Sequence, residues 1–192
     1  MNNKEVVMNN KGVVMKNKGV IMKNKGVIMK KRIIGLFAGL FVIAITLFGV
    51  SSPAYAHTKI SHSSATSQLS GAGITWSSSG GCTNRYNSTC TSFEQVNQES
   101  ISGVITLKNA SGCSINITGG TEVGHASGTY SHWNGYKLDI SKYTCIGNYI
   151  RNNFSYIGLR GDGSPQWQSG AGNVYADEGN HWDITFYNCG GC

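Results

Sequence analysis

The chain has 192 residues with 16 Lys and Arg against nine Asp and Glu, which gives a formal net charge of +7. Nine of the basic residues lie in residues 1–32, whereas the chain from His57 onward carries seven basic and eight acidic residues. The charge is therefore confined to the N-terminal extension, and it excludes a strongly basic domain of the kind that binds nucleic acid. We expect no nucleic-acid partner.

Residues 1–28 form a repetitive extension in which Met recurs every seven residues, the last of the series being Met29. A coiled coil is excluded because Gly falls in three of the heptads and disfavours a helix interior. We interpret the repeat as a tandem duplication of coding sequence. Met1 and Met29 are then alternative starts of the protein.

Residues 29–56 have the three parts of a signal peptide. A basic stretch from Met29 to Arg32 precedes an apolar run of 18 residues, and Ala54-Tyr55-Ala56 has the small-x-small form of a cleavage site. The run is long enough to be considered as an uncleaved membrane anchor. The cleavage motif favours removal after Ala56, so we expect a secreted protein without stable membrane insertion.

All six cysteines follow the predicted cleavage site. An even count in an exported chain predicts three disulfides, and six cysteines allow fifteen pairings. Cys82–Cys90 is a candidate for a local loop, and Cys189 with Cys192 is a candidate for a C-terminal staple. The sequence does not choose among the remaining pairings.

The exported chain has the length of one domain. Residues 57–81 are rich in Ser, Gly and Thr and predict a flexible spacer, in which His57 and His62 would be solvated. The packed domain is then residues 82–192.

Periodicity within this domain predicts helices separated by strands. Thr91-Ser92-Phe93-Glu94 has the pattern of a capping box. The predicted elements, in chain order, are a helix from Ser92 to Ala110, a strand from Cys113 to Thr118, a strand from Tyr136 to Ile140, a helix from Lys142 to Tyr156, a long polar loop from Arg160 to Asn180, and a strand from His181 to Tyr187. We expect an α+β fold with a central antiparallel sheet, flanking helices and disulfide staples.

Two short motifs contain the residues of a metal site. His132 and Asp139 stand seven residues apart, and Gly135 between them permits a turn that brings the imidazole and the carboxylate to one ion. Glu178 and His181 lie later in the chain, around a Gly-Asn pair that allows the chain to bend. Taken singly, each of these residues is as readily a loop acid or a half-buried histidine.

The two motifs together resemble the zinc site shared by D-alanyl-D-alanine carboxypeptidases of the M15 type, D,D-dipeptidases and the Hedgehog signalling domain. Members of that group carry His-x-x-Gly-x-x-x-Asp and later Glu-x-x-His before an aromatic residue. This chain has His132-Trp-Asn-Gly-Tyr-Lys-Leu-Asp139 and then Glu178-Gly-Asn-His181-Trp182. The resemblance covers roughly residues 91–187 and implies a small domain of the Hedgehog and D,D-peptidase type.

The resemblance implies that His132, Asp139 and His181 bind Zn²⁺ and that Glu178 is the general base. Zinc lowers the pKa of bound water and polarises a carbonyl group, which suits peptide hydrolysis. Asp177 is an alternative base with a spacing that fits less well, and Asp183 could orient a ligand or lie on the surface.

One position departs from the family pattern. Catalytic members carry an Arg that stabilises the oxyanion after the strand that precedes the first motif, whereas this chain has Glu122 nearby. A carboxylate there cannot stabilise negative charge. His125 could serve instead, as a hydrogen-bond donor or as a partner of a ligand.

Aromatic residues near the motifs are candidates for substrate binding: Trp133, Tyr136, Trp167 and Tyr175. In a small domain such residues are more often part of the core.

Three functions remain open at this stage. The first is a secreted zinc-dependent peptidase that hydrolyses peptidoglycan stem or cross-bridge peptides. The second is a non-catalytic, zinc-stabilised extracellular binding module on the same scaffold. The third is a structural, disulfide-stapled domain without a metal.

Overall fold

The computed structural model describes residues 57–191 and, ahead of them, two short strands, β1 (Met8–Asn9) and β2 (Gly12–Val13). These two strands pair antiparallel with each other, in a compact unit of their own. The predictions of a signal peptide, of a cleavage site and of the origin of the repeat lie outside the described residues. The second unit contains the candidate site and is described below.

This unit contains three helices and nine strands within residues 57–191. In chain order they are β3 (Lys59–Ile60), α1 (His62–Gly71), β4 (Thr75–Trp76), β5 (Val96–Asn97), α2 (Gln98–Ser111), β6 (Asn116–Gly119), β7 (Lys137–Ser141), α3 (Thr144–Asn153), β8 (Ser155–Leu159), β9 (Pro165–Gln168), β10 (Val174–Asp177) and β11 (His181–Thr185). The α+β class is confirmed.

Seven of the strands form one sheet in the order β4-β6-β7-β11-β10-β9-β8. Every neighbouring pair is antiparallel except β4 and β6, which are parallel. The sheet is therefore mixed, and the prediction of a central antiparallel sheet is wrong only for the pair β4 and β6. Strands β3 and β5 pair separately as a short antiparallel ribbon.

One face of the sheet forms the hydrophobic core. Leu138 and Ile140 of β7 and Trp182 and Ile184 of β11 are fully buried in one cluster with apolar residues of all three helices. Since successive side chains of a strand point to opposite faces, the residues between them point away from this core. The central strands therefore present Asp139 and Asp183 on the second face.

Residues 57–81 are folded, so the prediction of a flexible spacer is wrong. The helix α1 begins after Ser61, whose hydroxyl accepts a hydrogen bond from the amide of Ser64, and it buries Ala65 and Leu69 completely. These two apolar side chains, four residues apart, lie on one helical face. A helix with so few apolar residues gives almost no periodic signal.

Neither histidine of this segment is simply solvated. The Nδ1 atom of His62 accepts a hydrogen bond from the amide of Phe93 at 3.0 Å, and the two rings stack. The imidazole of His57 lies against the ring of Tyr136 and 3.2 Å from Glu99.

Helix α2 begins at Gln98, six residues after the predicted start. The capping-box pair serves tertiary contacts instead: the Thr91 hydroxyl bonds the Ser77 carbonyl at 2.8 Å, and Glu94 accepts from the amide of His62 at 3.0 Å. The same two side chains could satisfy a helix end or a distant backbone group, and the local sequence does not distinguish these uses. Helix α3 is likewise shorter than predicted at both ends.

The predicted loop from Arg160 to Asn180 contains β9 and β10, so that prediction is wrong. These strands are short, and polar residues such as Gln166 and Gln168 hide their alternation. Strand β8, which pairs with β9, exposes most of its side chains. It overlaps the end of the predicted second helix.

The described disulfides are Cys82–Cys90 and Cys113–Cys145, and Cys189 is disulfide-bonded as well. The predicted local loop is confirmed, and the second bridge ties the end of α2 to the beginning of α3. Among the described helices, none combines the length and the apolar character needed to cross a lipid bilayer.

Candidate metal centre

The pairing of β7 with β11 determines where the acidic residues of the second sheet face lie. Asp139 stands directly opposite Asp183, and His181 stands opposite Ser141 in the same register. Residues two apart in a strand share a face, so His181 and Asp183 lie on the same side as Asp139. The two distant motifs therefore meet on adjacent strands.

His132 is held in a fixed orientation beside this pair. Its ring is 4% exposed, and its Nδ1 lies 2.7 Å from the carbonyl oxygen of Gly120. A carbonyl only accepts hydrogen bonds, so Nδ1 must carry the proton and Nε2 is directed elsewhere. That Nε2 lies 3.3 Å from Oδ1 of Asp139.

His181 approaches the same oxygen from the beginning of β11. Its Nε2 lies 3.6 Å from Oδ1 of Asp139 and 3.3 Å from Oε2 of Glu178. Glu178 reaches this position because the turn at Gly179, with φ of 86°, returns the chain so that the Glu178 amide bonds the carbonyl of His181. The structure thus brings together all four residues of the two sequence motifs.

Oδ1 of Asp139 is buried and has no hydrogen-bond partner. An unpartnered buried carboxylate oxygen is costly unless a cation or donor satisfies it. Two imidazole nitrogens lie within 3.6 Å of it, so nitrogen and oxygen donors of the kind that a divalent cation binds gather at this oxygen. His181 does not belong to the group of described residues whose ligand atoms all lie within 4.8 Å of one another.

Burial lowers the pKa of His132, but the nearby carboxylates of Asp139 and Asp183 outweigh it and raise the pKa above its ordinary value. A metal ion binds only the unprotonated nitrogen. Metal binding therefore competes with protonation at Nε2 of His132.

His125 forms a second grouping with the same residues. The ligand atoms of His125, His132 and Asp139 all lie within 4.8 Å of one another and could hold a metal ion. However, the rings of the two histidines stack at 3.8 Å with only 15° between their planes. The lone pair of an imidazole nitrogen lies in the ring plane, so one ring would have to turn before both could bind one ion.

Glu122 does not face the centre as an isolated negative charge. Its carboxylate accepts hydrogen bonds from the amides of Ser92 at 2.7 Å and Gly120 at 3.0 Å, and it lies 3.1 Å from Nε2 of His125. Burial raises the pKa of Glu122, but these hydrogen bonds outweigh it and the pKa is lower than usual. Glu122 therefore anchors His125, whose Nδ1 lies 3.6 Å from Asp139.

Asp183 lies beside the centre, which the sequence alone could not establish. Its Oδ2 accepts from Lys137 at 2.6 Å and from Arg160 at 2.8 Å, while its Oδ1 is buried without a partner, 3.9 Å from Nε2 of His132. Burial raises the pKa of Asp183, but the two cations outweigh it and lower the pKa. In the sequence, the position of Asp183 two residues after His181 indicated that the two side chains could share one face of a strand.

Arg160 is the residue that the sequence analysis missed, because it fell at the start of a predicted loop. Its guanidinium contacts Asp162, Glu178 and Asp183. The hydrogen bonds that it donates to Asp162 and to the other carboxylates raise its pKa, against an opposing effect of burial. No sequence pattern connects Arg160 with residues so far along the chain.

Two of the predicted aromatic residues lie ahead of β7, and the other two lie in strands of the sheet. Trp133 is 40% exposed beside His132, with the guanidinium of Arg85 3.7 Å above its ring, and Tyr136 is half-buried. Tyr175 is only 3% exposed, and both it and Trp167 pack into the core on the opposite face from Asp139. Those two residues cannot line this centre, because the strand alternation directs them to the core.

Asp177 also points away from the centre. It bonds Lys142 at 2.5 Å and Arg151 at 2.6 Å. These two contacts occupy both carboxylate oxygens, so Asp177 is not placed to act as the base.

A groove of 360 Å³ adjoins the centre on the open sheet face. Its lining includes Tyr130, Tyr187, Ile157, Gln166, Lys137 and Arg160, with Asp183 at the end nearest the centre. The groove offers both apolar walls and polar groups to a bound chain.

Comparison with protein-family models, with curated proteins and with solved structures finds no match to this chain. The interpretation of the centre therefore depends on its own geometry and chemistry.

Proposed function

We propose that the protein is a secreted zinc-dependent peptidase. The observation that carries the proposal is the meeting of two distant motifs at one oxygen: His132 and His181 both face Oδ1 of Asp139. Glu178 stands beside them, with Oε2 directed at the same cluster. Chance placement of one histidine would not supply this complete set.

In this proposal His132, Asp139 and His181 hold Zn²⁺, which when bound polarises a carbonyl group and lowers the pKa of water. Glu178 accepts the proton of the attacking water and passes it to the leaving amine. His125, which Glu122 anchors through Nε2, donates a hydrogen bond from Nδ1 to the oxygen of the scissile carbonyl in this proposal.

The proposed substrates are peptidoglycan stem or cross-bridge peptides. Three features support this class: the predicted export signal, the disulfides and the groove beside the centre.

The alternative is a non-catalytic, zinc-stabilised extracellular binding module. One observation favours it: both oxygens of Glu178 already face protein groups, namely Arg160 and His181. A base must be free to contact water, so this arrangement is compatible with a carboxylate that only supports the centre.

The test measures zinc content and hydrolysis of muropeptides by the wild type and Glu178→Ala. We expect one zinc per chain in both proteins and loss of hydrolysis in the variant. Glu94→Gln is the control, because this partly exposed carboxylate bonds the amide of His62 and is not part of the centre; its hydrolysis should persist.

Zinc binding without hydrolysis by either protein would support the binding module. A wild type without zinc would contradict both proposals and leave a structural domain.

A further inference from the structure

The hairpin of β8 and β9 contributes the cationic side chain of Arg160 to the centre. Arg160 belongs to neither of the two sequence motifs. Its turn is closed by hydrogen bonds between the amide of Arg160 and the carbonyl of Ser164 at 2.8 Å, and between the amide of Gly163 and the carbonyl of Arg160 at 2.8 Å. The carboxylate of Asp162 holds Nε of Arg160 at 3.0 Å. The turn and Asp162 therefore orient the guanidinium of Arg160 independently of its other contacts.

From this position the guanidinium joins two carboxylates of the centre. Nη1 donates to Oδ2 of Asp183 at 2.8 Å, and Nη2 donates to Oε1 of Glu178. The planar fork of an arginine fixes both partners in angle as well as in distance, which a lysine cannot do. Glu178 lies in a turn and is partly exposed, so the contact with Arg160 restricts the positions that its carboxylate can take.

The contact leaves the two oxygens of Glu178 in different surroundings. Oε1 is engaged by Arg160, while Oε2 faces the cluster 3.3 Å from Nε2 of His181. An oxygen on that side is the one available to a water at the centre. Asp183 is divided in the same way, with Oδ2 held by cations and Oδ1 facing His132.

We propose that Arg160 is a positioning residue, which fixes Glu178 so that Oε2 faces the water that attacks the substrate. This inference rests on the proposed function, since it assigns Glu178 as the base. It also makes the β8–β9 hairpin, which borders the groove through Ile157 and Gln166, a part of the reaction centre.

The test compares Arg160→Lys and Arg160→Gln with the wild type in zinc content, kcat and KM on muropeptides. We expect kcat to fall by about 10- to 100-fold in Arg160→Gln, as for loss of an outer partner of a catalytic group. KM and zinc content should change little, and Arg160→Lys should recover part of kcat because it restores the charge without the fork.

Arg151→Gln is the matched control, because it removes an arginine–carboxylate pair on the core side of the sheet. Its kcat should stay near that of the wild type. Wild-type kcat in Arg160→Gln would overturn the inference, and so would a fall in kcat that merely parallels loss of zinc.

A crystal structure of zinc-loaded Arg160→Gln provides a readout that does not depend on turnover. We expect the carboxylate of Glu178 to leave its place beside His181. An unmoved carboxylate overturns the inference about Arg160, whereas an inactive wild type with a displaced carboxylate in the variant overturns only the proposed function.

Discussion

The buried carboxylate of Glu122 illustrates how a single residue can serve the centre without entering it. It is surrounded by backbone N–H groups of Ser92 and Gly120 and by the imidazole of His125. The carbonyl of Gly120 in turn fixes the ring of His132. One short segment after β6 therefore orients both histidines.

Replacement of Glu122 by Gln should change how stability depends on pH. A carboxyl group whose folded pKa is lowered contributes stability above its unfolded pKa, near 4.5, and loses it as the pH falls through the folded value. The wild type should therefore lose stability below about pH 4.5, and Glu122→Gln should show a shallower acid-dependent loss, from a lower starting stability.

Free energies of unfolding from denaturant titrations between pH 3 and pH 7 measure this difference. Glu99→Gln is a control in which a partly exposed carboxylate is replaced beside His57, away from His125 and His132. Parallel pH profiles for the wild type and Glu122→Gln would contradict the assignment of an ionised, hydrogen-bonded Glu122.

At the scale of elements, the strongest periodic signals identified the central structure. The alternation from Tyr136 to Ile140 correctly placed a strand that points Asp139 away from the core, and the apolar period of α2 and α3 gave both helices. The strands β4 and β9 were not predictable, because both are short, and β4 depends on pairing with β6, which is distant in sequence.

The candidate site was likewise predictable only in part. His132, Asp139, Glu178 and His181 stood out through their spacing, and the structure brings them together. Arg160 and the role of Glu122 depend on tertiary contacts across many residues, so no local pattern could reveal them. Tyr175 and Trp167 showed the converse error, since an aromatic residue gives no sign of which sheet face it occupies.

The Cys113–Cys145 bridge is expected to be the more stabilising of the two described disulfides. It joins residues 32 apart, against eight for Cys82–Cys90, and the entropy of the unfolded chain that a bridge removes grows with loop length. Removing it by paired Ala substitutions should cost about 3–4 kcal/mol, against about 2–3 kcal/mol for the smaller loop.

Denaturant unfolding of both double variants, with zinc content held equal, measures the two costs. A larger loss on removal of Cys82–Cys90 would show that this loop, which carries Arg85 against Trp133, contributes more through native contacts than through chain entropy.

The two faces of the seven-stranded sheet differ in use: one forms the hydrophobic core, and the other carries the candidate site. The core face carries Trp182 and Ile184 against the helices, while the open face gathers the acidic and imidazole groups beside the groove. The ligand candidates reach one point only when β7 and β11 are paired, so the unfolded chain has no comparable site. Zinc should consequently bind the folded state alone and stabilise it.

Zinc at about 1,000 times its dissociation constant should therefore raise the free energy of unfolding by about 4 kcal/mol. For a domain of this size that corresponds to an increase in Tm of about 10 °C, reversed by a chelator. His181→Ala should abolish the increase if His181 is a ligand, whereas His125→Ala should keep most of it, because the stacked ring of His125 would have to turn before it could share an ion with His132. Thermal unfolding of the three proteins with and without zinc measures the effect. The reverse ranking of the two variants would assign the centre to His125, His132 and Asp139, the grouping whose ligand atoms lie within 4.8 Å of one another.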